Sequence, residues 1–122
     1  MKIATLIPTV ILALFTTTTI GCATYKVCWC ELLNTTYKGK PNQNVPWDDM
    51  TQAACREPGK IQYRNMYNHK VCWRFNERTF ITAQGIDNCS WKNQCEDEYE
   101  KKLGKEKYKK GMITGYCAER AN

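Results

Sequence analysis

One histidine, His69, is all the imidazole in these 122 residues. General acid–base catalysis needs groups paired around one proton and tuned against each other, so a small secreted hydrolase such as a ribonuclease has little here to work with. No two cysteines stand in a C-x-x-C pair, and the usual thiol redox motif is therefore missing. A structural zinc site prefers two close pairs with about two to four residues inside each. Here the gaps are one residue (Cys28 to Cys30) and five (Cys22 to Cys28 and Cys89 to Cys95). Nor does any stretch approach the ~20 predominantly apolar residues of a membrane-spanning helix. The most apolar segment, Ile3 to Phe15, dissolves into threonine. The expectation is a protein that is not an enzyme, carries no cofactor or metal, and has no transmembrane segment.

That opening segment reads instead as a signal peptide, residues 1–21, with Lys2 as its positive start and small residues from Thr16 to Gly21. Cleavage after Gly21 keeps all eight cysteines, whereas cleavage after Ala23 would strand seven, and an even number favours the first. A lipoprotein signal also places cysteine after glycine, but wants a leucine-like residue where Thr19 stands. Residues 22–122 then form a single cysteine-rich domain, secreted and extracellular. Eight cysteines in so short a chain point to an oxidising compartment and to a core that needs crosslinks. Cys22, Cys28, Cys30, Cys55, Cys72, Cys89, Cys95 and Cys117 are all expected in disulfides, with their connectivity left open.

Hydrophobic periodicity divides the domain. Tyr25 to Leu33 (YKVCWCELL) alternates as a strand, with Cys28, Cys30 and Leu32 on one face and Tyr25, Val27, Trp29 and Glu31 on the other. Asn34 to Val45 is polar and reads as a loop holding the glycosylation sequon Asn34-Thr35-Thr36. Asn88-Cys89-Ser90 also matches that pattern, although a bridged cysteine inside it disfavours use. Trp47, Met50, Thr51, Ala54 and Cys55 share a helical face that Pro58-Gly59 stops. Lys60 to Tyr67 and His69 to Phe75 read as two strands joined through Asn68-His69. Asn76 is expected to cap a second helix reaching Cys89. Trp91, Cys95, Tyr99 and Leu103 mark a further helical segment, and Met112 to Cys117 a last strand. The order strand, helix, strand, strand, helix, strand predicts an α+β fold. Specifically, it predicts a ferredoxin-like split βαβ sandwich (βαββαβ), a four-stranded antiparallel sheet with helices on one face, stapled by disulfides.

The run Cys28-Trp29-Cys30, then Ala53-Ala54-Cys55 ending a first helix, then Cys72, Cys89 and a final cysteine, resembles the alpha subunit of the fungal killer protein six and the secreted cysteine-rich effectors that share its frame. The resemblance covers most of the chain from Cys22 to Cys117. It departs in a longer Cys30-to-Cys55 segment, in the cysteines before Cys28, and in an enlarged stretch from Ser90 to Lys110. It implies the fold, and a secreted fungal effector or virulence-type protein of the apoplast, or else an antimicrobial or killer toxin against competing cells. The family pattern consists of disulfides, so it supplies no catalytic residues.

On the sheet face away from the helices, Trp29, Trp73 and Tyr116 form the candidate binding face. A ferredoxin-like sheet with exposed aromatics is also how RNA-recognition modules stack bases, and the net charge of +6 would attract phosphates. The alternative is that Trp29 and Trp73 pair across strands for packing. The expected partner is a host protein or a cell-surface or cell-wall component, without nucleic acid, met by a monomer. Lys101 to Lys110 reads as a solvated helix end, with anionic membranes or cell-wall polymers as its alternative targets.

Overall fold

The computed structural model describes residues 21–57, 59–75 and 85–121. The signal peptide expected over residues 1–21 lies, apart from Gly21, outside the described residues, as does most of the helix expected from Asn76. Those described form strands β1 (Thr24–Tyr37), β2 (Lys40–Pro46), β3 (Lys60–Arg64), β4 (His69–Trp73), β5 (Ile86–Asp87) and β6 (Ile113–Arg120), with helices α1 (Asp48–Ala54) and α2 (Asn88–Leu103). No helix among them is long and apolar enough to cross a membrane.

β1 organises a single antiparallel sheet of six strands, rather than the four expected. Val27 and Cys28 are paired on both sides, with Trp73 and Cys72 of β4 and with Ala118 and Cys117 of β6. Glu31 and Leu32 are likewise held by β2 and β6, and Tyr25 by β5 and β6. One edge of β1 is therefore shared by β5, β4 and β2 in turn, while β6 takes the other from Tyr25 to Leu32. Among the described residues β3 pairs only with β4, from Lys60↔Trp73 to Arg64↔His69.

Where β4 gives way to β2, the β1 edge would be left with unpaired backbone groups, and α1 fills that fork. Thr51 Oγ1 accepts from Cys30 N (2.9 Å) and donates to Trp47 O (3.1 Å). Trp47 N donates to Cys30 O (2.9 Å), and Asp48 Oδ1 accepts from Lys70 N of the departing β4 (3.1 Å). Thr51 is fully buried, as a polar group can be when its hydroxyl is satisfied in both roles.

Two further expectations are corrected. Asn34 to Val45 is not a loop, because β1 runs on to Tyr37 and turns through Lys38-Gly39 into β2. Both turn residues have positive φ (51° and 78°), as a two-residue type I′ hairpin requires. The hairpin's residues are mostly exposed, so no apolar alternation marks it. Among the described residues β2 pairs only with β1, and an edge strand tolerates Pro41 and Pro46. Cys89, expected near the end of a helix, lies instead in the first turn of α2. Asp87 closes β5 and caps α2, its side chain accepting from Cys89 N and Ser90 N.

Both helices cover the same face. Met50 and Ala54 of α1 and Trp91, Cys95 and Tyr99 of α2 pack with Cys28, Cys30, Cys72 and Ile113 in the main core. Trp91, 1% exposed, donates from Nε1 to Trp29 O (2.9 Å). Its helix lies so close to β6 that a Cβ on Gly115 would fall 2.6 Å from the indole and 2.9 Å from Lys92 Cα.

All eight cysteines are paired: Cys22–Cys89, Cys28–Cys117, Cys30–Cys95 and Cys55–Cys72. Cys30–Cys95 and Cys55–Cys72 tie the helix layer to the sheet. Cys28 reaches no helix but bonds directly across to its register partner on β6, with Cα atoms 4.0 Å apart.

Candidate binding face

The face of the sheet opposite the helices carries a second, smaller cluster of Val27, Trp29 and Val71, with Tyr67, Trp73 and Ala118 packed against it. Strand alternation puts Trp29 there because Cys28 and Cys30 point the other way. The tryptophan is only 8% exposed. Three rings surround it: His69 at 4.7 Å, Tyr67 at 5.0 Å and Tyr116 at 6.1 Å between centroids, the last nearly parallel at 13°. Its Nε1 donates to Glu31 Oε2 (2.8 Å), two residues on along the same face.

Tyr67 reaches this position from the turn between β3 and β4. β3 ends at Arg64, and the following turn passes through Asn68 at φ 62°, which folds the Tyr67 ring back over the sheet. Its hydroxyl donates to Glu119 Oε2 (2.7 Å) of β6. Burial, then the hydrogen bond and the charge of Glu119, push the Tyr67 pKa up to about 12, against the opposing pull of Arg64. The phenol therefore stays neutral at physiological pH. His69 Nδ1 lies 2.9 Å from Lys70 O. A carbonyl can only accept, so Nδ1 carries the proton and Nε2 is left as an acceptor in the neutral ring.

Trp73 occupies the other end of the face and is half-buried. Arg64 stacks its guanidinium 4.2 Å from the indole, Phe75 meets it edge-on, and the indole Nε1 donates to Phe75 O (2.9 Å). Of the three residues expected to form the binding face, Tyr116 is the open one, 48% exposed. Trp29 sits beneath it and Trp73 lies apart under Arg64. Sequence reasoning missed Tyr67, Arg64 and the packing role of His69. Alternation through β4 puts His69 on the same face as Val71 and Trp73, which was a usable signal. The Tyr67–Glu119 contact spans 52 residues and left none.

The remaining predicted positions lie elsewhere. Asn34 is exposed on the hairpin at φ 50°. Asn88 has its side-chain oxygen occupied by Ala23 N (2.9 Å). Cys22, Asp87 and Cys89 lie together, but the two sulfurs share a disulfide and Asp87 caps α2, so the group offers no thiolate to a metal. Comparison with protein families, with curated proteins and with solved structures finds no match to this chain.

Proposed function

We propose that this is a secreted, disulfide-stapled binding protein of the effector type, with the ferredoxin-like frame of the killer protein six alpha family, that engages a host protein or cell-surface component without catalysis. The four longer-range strands support that frame. They run in the order β6-β1-β4-β3, all antiparallel, with α1 and α2 on one side, and β2 and β5 are additions to the edge of β1. Four disulfides suit an oxidising, extracellular setting.

The observation that carries the binding reading is the construction around Tyr116. A large, half-exposed ring is stacked on a buried tryptophan that is itself held by Glu31, Tyr67 and His69. A rigid aromatic with few rotamers to lose is the kind of anchor that binding interfaces favour. Infiltrating the pure protein into plant leaves, alongside growth assays on yeast and filamentous fungi, tests the reading. A leaf response that Tyr116→Ala abolishes, with the fungi unaffected, is the expected result. Fungal growth inhibition without a leaf response would instead establish the toxin reading. RNA cleavage that is lost in His69→Ala would overturn binding in favour of a hydrolase.

A further inference from the structure

On the helix side of the sheet, a separate cleft of about 200 Å³ opens between the end of α1, β4 and the start of α2. Its floor is closed by Ile86 (8% exposed), with Trp91 wholly buried behind it, while Arg56, Glu57, Arg74 and Gln94 supply its polar groups. The Arg74 backbone is anchored by its N–H to Lys26 O (3.0 Å), but its guanidinium has no ion pair or hydrogen bond among the described residues. Arg56 has only a loose pairing with Glu98 at 3.9 Å, and its side chain is 54% exposed. Two guanidinium forks thus line one concavity with their donors essentially unspent.

We infer that this cleft binds a small organic monoanion, a carboxylic acid whose carboxylate is taken by Arg74 and Arg56 and whose short apolar body reaches between them towards Ile86. A planar guanidinium presents paired N–H donors at the spacing of two carboxylate oxygens. The volume lies below the roughly 300–1,000 Å³ of drug-sized sites, which limits the ligand to a few apolar atoms beside its charged group. Glu57 leaves the lining with one net positive charge, so a single negative charge is matched and a second is opposed. Gln94 offers an amide to whichever carboxylate oxygen the arginines leave open. None of these groups belongs to the aromatic face, and the inference stands apart from the function proposed above.

Titration of the isotope-labelled full chain with benzoate, followed through the amide signal of Gly59 and the side-chain amide of Gln94, tests it. Saturable shifts confined to the cleft are expected. Benzyl alcohol, the neutral counterpart of the probe, should bind at least about tenfold more weakly, because the charge-assisted fork is lost. Arg74→Gln should weaken benzoate by a similar factor, Arg74→Lys should fall between it and the parent, and Lys105→Gln should change nothing. The same spectra report whether each variant is folded. Equal binding of benzyl alcohol, or an Arg74→Gln variant that binds as the parent does, would overturn the carboxylate site. Tighter binding of phenyl phosphate than of benzoate would overturn the assignment to a monoanion.

Discussion

Tyr67 illustrates how much one side chain outside the regular elements can do. It leaves the β3–β4 turn, covers Trp29, and closes a hydrogen bond to Glu119 on the far strand. Its folded pKa, about 12, lies above the ordinary value of 10.0. The sign of the linkage follows: below pH 10 the phenol is protonated in both states and its contribution is fully present, and stability is lost as the pH rises from 10 through 12. The Tyr67 ring signal should accordingly titrate near 12, and in Glu119→Gln fall part of the way towards 10, since burial is the larger cause. Tyr67→Phe should lose less stability than the parent across that alkaline window. Parallel unfolding curves for the two proteins between those pH values would sink this account. None of it was visible beforehand, because a tyrosine near a turn reads as a strand end until the chain is folded back.

At the scale of elements, α1 is the piece whose role the linear pattern half disclosed. Its apolar face of Trp47, Met50, Thr51 and Ala54 was legible from helical spacing, and Met50, Thr51 and Ala54 are indeed buried. What spacing could not disclose is that Thr51 serves as a rung of the sheet, replacing a strand partner for Cys30 where β4 and β2 part. Thr51→Val keeps the shape but leaves that buried N–H unpaired, which typically costs about 1–3 kcal/mol. Urea unfolding should place the variant's midpoint lower at unchanged slope, and Thr51→Ser should recover most of the loss. A Val variant as stable as the parent would mean that another group takes over the fork. The hairpin of β1 and β2 was hidden for the opposite reason: it projects polar residues to solvent on both faces, and only the Lys38-Gly39 turn betrays it.

For the whole molecule, the cross-links differ widely in the length of chain between their partners. Cys28–Cys117 spans 89 residues and Cys55–Cys72 spans 17. If disulfides stabilise chiefly by restricting the unfolded chain, replacing either pair by alanine should cost about 3–4 kcal/mol, because the intact Cys30–Cys95 bridge already shortens the loop that Cys28–Cys117 closes. Denaturant midpoints of the two double variants check this, and losses that differ by more than about 2 kcal/mol would reject the entropic account. The α+β class, the inward direction of Cys28 and Cys30, and the outward direction of Trp29 were determined by the sequence itself, because alternation and helical spacing are properties of local backbone geometry. The pairing of the cysteines, the fork filled by Thr51, the burial of Trp29 under rings from a turn and from β6, and the two arginines meeting in one cleft were decided only by the tertiary structure. Each brings together residues far apart in the chain, and no local period encodes that distance.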